Sequence, residues 1–177
     1  SLRESLLSEN AVLRERGKEL ETDMGNADQY SRRNNLIIKG ISTDIKPDQL
    51  EDEVIKILKD IDVVVSSNEI EATHRIGKPK KNTIVRFINR KNVTKAILSR
   101  KKLKGKELYI EENFCPFISK IGYMGRKLFR AKLIHQTWMY KGAVSVTLKE
   151  SDDPEIIHHP DDLISLFPDF DFEFSDD

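Results

Sequence analysis

The residues with the clearest chemical potential are the basic ones that crowd the middle of the chain. Residues 72–106 contain 13 lysines and arginines and no aspartate or glutamate. Phosphates repel carboxylates and release their counterions when Lys and Arg take the place of those ions. This pattern therefore predicts a nucleic-acid-binding surface. The predicted binding residues in this stretch are His74, Arg75, Lys78, Lys80, Lys81, Arg86, Arg90, Lys91, Arg100, Lys101, Lys102 and Lys104.

A second basic set follows on a predicted helix and hairpin. Arg126, Lys127 and Arg130 belong to the helix, while Trp138 and Lys141 belong to the hairpin. All five are candidate nucleic-acid-binding residues. For Trp138 the sequence leaves two readings open, because its ring can stack on a base or cover a small core.

Charge and composition argue against other classes of function. The 177 residues carry 30 basic and 30 acidic side chains, but residues 150–177 hold 11 acidic and no basic ones. A single cysteine, Cys115, excludes an internal disulfide and a cysteine-based zinc site within one chain. The sequence shows no nucleophile elbow, phosphate loop or metal-ligand spacing, and adjacent His158 and His159 favour a loop or helix start. We therefore expect no enzyme, cofactor, metal or small-molecule substrate.

The first thirty residues predict a helix with a leucine seam. Leu6, Leu13 and Leu20 recur every seven residues, and Asn10 falls at an a position that can fix register and oligomer state. The seam predicts a coiled-coil oligomerisation helix over residues 1–31. The alternative is one amphipathic helix docked on the rest of the chain. Because the pattern is already under way at Ser1, we expect further sequence upstream.

Residues 32–112 predict a βαββαβ order, the ferredoxin-like arrangement that RNA-recognition motifs share. Matching its central strands to those motifs places Lys39, Ile37 and Arg86 on the open sheet face, with Phe87 on the buried side. No aromatic residue occupies the base-stacking positions of these strands. We therefore expect binding through phosphates rather than sequence-specific stacking, with Lys39 among the contacts.

The remaining chain predicts a small α+β domain over residues 113–168, built from a helix, a hairpin and a short helix. Gly122 and Gly125 make the first of these a poor helix. Residues 169–177 read as an acidic, aromatic and frayed tail. The fold class is therefore α+β. No apolar run approaches the roughly 20 residues that cross a bilayer, so we expect no membrane association.

Four strings resemble the first-open-reading-frame protein of LINE-type retrotransposons, in its invertebrate-style branch. They are DQYSRRNNLIIKGI (28–41), EATHRIG (71–77), NTIVRFINRKNVTKAIL (82–98) and KLKGKELYIEEN (102–113). The part after Glu111 is similar to the C-terminal domain that those proteins share with the baculovirus few-polyhedra protein.

The resemblance implies a homo-oligomer, with a trimer favoured, that coats single-stranded RNA or DNA as a nucleic-acid chaperone without catalysis. It implies cytoplasmic ribonucleoprotein particles and leaves a nuclear location open. Arg32 and Arg33 match the basic pair at the junction between coil and domain. Gly122 and Gly125 depart from the family, because they interrupt a helix that is more continuous in relatives. The alternative is a coiled-coil interaction protein whose basic surface binds an acidic protein partner.

Overall fold

A computed structural model describes residues 1–174. The helices are α1 (Leu2–Ser31), α2 (Leu50–Asp60), α3 (Arg90–Ser99), α4 (Pro116–Arg130) and α5 (Pro160–Leu166). The strands are β1 (Asn35–Lys39), β2 (Ile70–Ile76), β3 (Asn82–Phe87), β4 (Tyr109–Glu112), β5 (Gln136–Tyr140), β6 (Ala143–Thr147) and β7 (Glu155–Ile157). Short 3₁₀ segments span Pro47–Gln49, Ser67–Glu69 and Arg100–Leu103. The predicted α+β class is confirmed.

The chain divides into two compact units. Residues 31–113 form one, here the four-stranded unit; residues 1–30 and the chain from Phe114 onward form the other, here the three-stranded unit. In the four-stranded unit the elements follow the order strand, helix, strand, strand, helix, strand. Its antiparallel sheet has the order β2-β3-β1-β4, so β2 and β4 are the edge strands.

The core of the four-stranded unit follows from two hydrophobic periods. On β1 the wholly buried Leu36 and Ile38 alternate with outward residues, as the two-residue period of a strand requires. On α2 the apolar residues recur every three or four positions and Val54 and Leu58 are wholly buried. Phe87 is also wholly buried, as predicted.

In the three-stranded unit α4 packs on a sheet of order β5-β6-β7. The expectation that Gly122 and Gly125 disturb this helix is wrong, because α4 runs without a break and buries both glycines. A Cβ on Gly125 would lie 2.7 Å from Oγ1 of Thr137, and one on Gly122 would overlap Met139. The glycines let the helix approach the strand closely. The predicted hairpin is present, and β7 adds a third strand that the sequence did not indicate.

The expectation of a frayed tail is wrong for the part of the tail that the structure describes. Phe172 is buried in the core of the three-stranded unit, and the ring of Phe170 packs edge-on against it with centroids 4.8 Å apart. An aromatic residue at every second position anchors an otherwise acidic segment. Residues 175–177, the end of the predicted acidic tail, lie outside the described residues.

Helix α1 docks its second half on the three-stranded unit, but not through the leucines. The docked face carries Gly25 and Gln29, both buried; the Gln29 Oε1 accepts the backbone N–H of Cys115 at 2.8 Å. The leucine seam plays no part in this contact, since Leu6, Leu13 and Leu20 are 51–63% exposed. Asn10 is exposed as well. None of the helices within residues 1–174 combines the length and apolar character needed to cross a bilayer.

Candidate nucleic-acid interface

The sheet register divides the predicted binding residues of the four-stranded unit between its two ends. Lys39, the last residue of β1, pairs with Tyr109, the first residue of β4, and Ile38 beside it pairs with Thr83 near the start of β3. The turn between β2 and β3 therefore lies at the Lys39 end of the sheet. This turn carries three exposed predicted residues, Lys78, Lys80 and Lys81.

A groove at the outer edge of β4 gathers further predicted residues. It is lined by Arg100, Lys101 and Lys104 on one side and by Tyr109 and Glu111 of β4 on the other. The Arg100 guanidinium donates to the carbonyl oxygen of Ile110 at 3.4 Å, which holds it beside the strand. We call this feature the β4-edge groove. It combines exposed cations with an aromatic ring.

Tyr109 is a residue that the sequence reasoning missed. Its side chain is 63% exposed and stands on the open face of the sheet, opposite Lys39. The base-stacking positions of RNA-recognition motifs lie on the central strands β1 and β3, whose open face carries no aromatic residue, so the motif pattern does not point to β4. The signal that could have found Tyr109 is its place at the start of the fourth strand, three residues after the basic run that ends at Lys106.

The open face of the central strands is less basic than the sequence suggests. Lys39 Nζ lies 3.0 Å from Glu111 Oε2, and Arg86 Nε lies 3.1 Å from Glu71 Oε2. Each predicted phosphate contact therefore already has a carboxylate beside it. Between them Ile37 is only 8% exposed. His74 is exposed on the same face, since it pairs with Ile84.

Arg75 lies on the helix-facing side of β2. Its guanidinium donates to the backbone carbonyl oxygens of Ile41, Ser42 and Ile45, at 3.4, 2.5 and 3.3 Å. These bonds hold the loop that follows β1. The local geometry gives Arg75 a scaffold role, although sequence had placed it among the binding residues. Because strands alternate faces, its neighbour His74 points the other way.

Lys102 is also engaged by a carboxylate. Its Nζ lies 2.7 Å from Oδ2 of Asp62, and this hydrogen bond, together with the charge of Lys102, holds the pKa of Asp62 below its ordinary value. Lys102 is absent from the lining of the β4-edge groove, to which Lys101 and Lys104 both contribute.

The other end of the sheet brings together a second set of predicted residues. Asn35, the first residue of β1, pairs with Arg86 near the end of β3, so the chain entering β1 and the chain leaving β3 are neighbours. The side-chain amide of Asn34 donates to the backbone carbonyl oxygen of Ile88 at 3.4 Å across this junction. Asn89 caps α3 by accepting the amide of Lys91 at 2.9 Å. The predicted residues at this end are Arg32, Arg33, Arg86, Arg90 and Lys91.

In the three-stranded unit the predicted residues fall on different surfaces. Arg126 and Arg130 are exposed on α4, and the Arg126 guanidinium lies 3.6 Å from the sulfur of Met139. Lys127 is half-buried beneath the C-terminal segment, 4.0 Å from Glu173. Burial alternates along β5, so Met139 faces α4 while Trp138 faces away from it.

This placement bears on the two interpretations of Trp138, as a base-stacking ring or as a cover for the core. The ring is 39% exposed on the outer sheet face and is not part of the core. Tyr140 shares that face, and Lys141 Nζ lies 5.5 Å from the centroid of the Tyr140 ring. The outer face therefore offers two aromatic rings and a cation, separate from the basic residues of α4.

Within residues 1–174, no cluster of three or more His, Cys, Asp or Glu has a geometry that could hold a metal ion. Cys115 is wholly buried just before α4. His159 begins α5, as the helix-start reading predicts. Comparison of the chain with models of known protein families and with curated proteins finds no match.

Proposed function

We propose that this chain binds single-stranded nucleic acid, RNA above all, as the ribonucleoprotein component and nucleic-acid chaperone of a LINE-type retrotransposon. The βαββαβ element order and the β2-β3-β1-β4 sheet support an RNA-recognition-like domain. The resemblance of residues 28–113 to that protein family points the same way. The particle would assemble in the cytoplasm, with a nuclear location left open.

The observation that carries the proposal is the composition of the β4-edge groove. Three exposed cations, Arg100, Lys101 and Lys104, line it beside the exposed ring of Tyr109 and two carboxylates, Glu107 and Glu111. Single strands bind through such a combination, because lysines and arginines track the phosphates while an aromatic ring accepts any base face. Binding of this kind is strongly salt-dependent and has little sequence preference.

The leucine seam of α1 supports oligomerisation as part of the same function. Leu6, Leu13 and Leu20 leave a row of exposed apolar side chains along a 30-residue helix. A coiled coil, with a trimer favoured, would cover that row. Several linked binding units then raise the overall affinity for one long strand without new contacts.

The test is a titration of a single-stranded RNA oligonucleotide at several salt concentrations. We expect affinity to fall log-linearly with salt. The double variant Lys101→Gln with Lys104→Gln should weaken binding and reduce the slope by about 0.7 for each lost phosphate contact. The matched control is Lys56→Gln with Lys59→Gln, two exposed lysines of α2 outside the groove. A flat salt response, or equal losses in both double variants, would contradict the proposal.

A second candidate function is a coiled-coil interaction protein that binds an acidic partner. It is favoured by four predicted binding residues that already lie beside carboxylates, namely Lys39, Arg86, Lys102 and Lys127. Adding polyglutamate as a competitor separates the two candidates. If polyglutamate displaces the RNA at equal charge concentration, the acidic-partner function is preferred.

A further inference from the structure

The C-terminal segment of the three-stranded unit alternates aromatic and acidic residues. Phe172 is buried and anchors the segment in the core. Glu173 and Phe174 continue beyond this anchor, and the Phe174 ring stacks at 6.3 Å from that of Phe172. The two residues therefore follow the fixed part of the segment without belonging to the core themselves.

Glu173 and Phe174 lie on one face of α4. Lys120 Nζ is 4.7 Å from the centroid of the Phe174 ring, and the Tyr123 ring is 6.1 Å from it. The Tyr123 hydroxyl donates to the carbonyl oxygen of Glu173 at 2.9 Å. The cation and the tyrosine thus hold an aromatic ring between them.

Lys127 completes this face at its other end. Its Nζ lies 4.0 Å from the Glu173 carboxylate and 5.4 Å from the centroid of the Tyr123 ring. Lys120, Tyr123 and Lys127 stand three and four residues apart, which places them in one row about 10 Å long on the helix. We call this row the α4 cationic face.

The chemistry of the two occupants matches that of a nucleotide. An aromatic ring beside Tyr123 takes the position of a base, and a carboxylate near Lys127 takes the position of a phosphate. A single strand presents the same alternation of flat rings and negative charges. The α4 cationic face would therefore accept a single strand with the contacts it now makes to its own chain.

The occupants are held weakly. Phe174 is 47% exposed, and the Glu173 side chain is 75% exposed. The 4.0 Å between Glu173 and Lys127 is the longest distance that counts as an ion pair. Exposed ion pairs contribute little to stability. Since Phe172 stays in the core, Glu173 and Phe174 can leave the face without unfolding the unit.

We infer that the α4 cationic face is a second binding site for single-stranded nucleic acid, and that Glu173 and Phe174 occupy it as an intramolecular competitor. A base stacks on Tyr123 when the site is filled, with phosphates at Lys120 and Lys127. The inference rests on the proposed function, since it assumes that the chain binds single strands. It adds a site, a stacking residue and a means of lowering affinity until a strand displaces the segment.

The experiment compares the whole chain with a chain truncated after Phe172. Truncation removes residues 173–177, including Glu173, Asp176 and Asp177, and keeps the buried anchor. We expect the truncated chain to bind a single-stranded RNA oligonucleotide about fivefold more tightly, the low end of what one base–aromatic stack contributes. Far-ultraviolet circular dichroism verifies that the fold is unchanged.

The matched control removes the same number of negative charges elsewhere. It is the triple variant Glu150→Gln, Asp152→Asn and Asp153→Asn in the exposed connection between β6 and β7. A general loss of negative charge would tighten binding equally in both proteins. A gain in RNA affinity that is larger in the truncated chain than in the triple variant therefore supports the role of Glu173 and Phe174 as a competitor. Equal affinities of these two proteins would overturn that role and leave the proposed function standing.

A further variant assigns the gain to the α4 cationic face. Tyr123→Leu in the truncated chain keeps an apolar side chain but removes the stacking ring, and we expect it to abolish the fivefold gain. Retention of the full gain would overturn the assignment of the site to this face. Absence of RNA binding by every chain, even at low salt, would overturn the proposed function and this inference together.

Discussion

The imidazole of His159 and the carboxylate of Glu21 meet at 2.8 Å, Nε2 to Oε2, and join α5 to α1. Nδ1 of the same ring accepts the amide of Asp161 at 3.0 Å, so the ring proton sits on Nε2 and is donated to Glu21. In return, the Asp162 carboxylate accepts the amide of His159 at 3.1 Å. One buried histidine therefore caps α5 and holds α1 against the same unit.

Replacing His159 tests both of these roles. We expect His159→Leu to lower the free energy of unfolding by about 1–3 kcal/mol, because it removes the cap and leaves the Asp161 amide without its acceptor. His159→Asn should lose less, since asparagine is a good helix cap. Urea unfolding of the two variants measures the difference. Equal losses would show that the cap contributes nothing.

The neighbouring pair of Lys18 and Asp162 predicts a stability loss in acid. Their charged atoms lie 2.9 Å apart. Burial alone would raise the pKa of the Asp162 carboxyl, but the hydrogen bond and charge of Lys18, with the amides of His159 and His158, hold that pKa below its ordinary value. A carboxyl with a lowered folded pKa stabilises the fold above its unfolded pKa, near 4, and loses this effect as the pH falls further.

The measurement is the midpoint of urea unfolding between pH 6 and pH 2. We expect the urea concentration at the wild-type midpoint to decrease once the pH is lowered below about 4. The decrease should be smaller in Asp162→Asn, which cannot titrate at this position. Asp152→Asn, at an exposed residue of the β6–β7 connection, is the control and should follow the wild type. Parallel curves for wild type and Asp162→Asn would contradict the prediction.

Two glycines in helices should respond in opposite ways to alanine. At Gly125 the added Cβ would meet Thr137 at 2.7 Å, so Gly125→Ala should cost about 1–3 kcal/mol through overpacking. At Gly17 nothing lies within 4 Å of the added Cβ. Gly17→Ala should therefore stabilise α1 by about 0.5–1 kcal/mol. Chemical unfolding of both variants checks the signs, and a stabilised Gly125→Ala would contradict the close approach of α4 to β5.

The order of elements was predictable because each carries its own local signal. The apolar face of α2, the alternation along β6 and the Asn89 cap of α3 all depend on residues close in sequence. Gly122 and Gly125 misled for the opposite reason. Glycine lowers the local helix propensity, which the sequence shows directly. The close contact with β5 that the two glycines allow depends on a strand more than ten residues away.

The site was harder to predict because basic residues that cluster in the sequence do not all lie exposed and unpaired on the folded surface. The acid-free stretch contains the basic lining of the β4-edge groove, yet its Arg75 turns inward and its Arg86 lies beside Glu71 of another strand. Lys127 lies beside Glu173, which is distant in sequence. Only the tertiary arrangement brings such carboxylates and carbonyls to the cations.

Arg75 gives a direct test of scaffold against binding residue. Since its guanidinium donates to three backbone carbonyls, we expect Arg75→Gln to lower stability by about 1–3 kcal/mol. The salt slope of RNA binding should not change. Lys80→Gln, in the exposed turn between β2 and β3, is the opposite case and should reduce the slope by about 0.7 at unchanged stability. An Arg75→Gln protein with unchanged stability and weakened RNA binding would show that Arg75 is a binding residue and contradict the scaffold role.

The leucine seam predicts self-association of the whole chain. Leu13 is 55% exposed at the middle of the seam, and burying one leucine in a coiled coil contributes about 1.5–3 kcal/mol. Leu13→Asp should therefore reduce the sedimenting mass to that of a monomer at concentrations where the wild type is larger. Ser8→Asp, at an exposed position away from the seam, is the matched control and should sediment like the wild type.

Oligomerisation through this seam is compatible with the docked state of α1. The docked face runs through Lys18, Gly25 and Gln29, while Leu20 lies on the opposite side of the helix and is 63% exposed. Subunits can therefore associate without releasing α1 from the three-stranded unit, and His159→Leu should weaken docking while leaving the sedimenting mass unchanged. A wild-type chain that remains monomeric at millimolar concentration, or a Leu13→Asp chain that keeps its oligomeric mass, would contradict the seam as the interface.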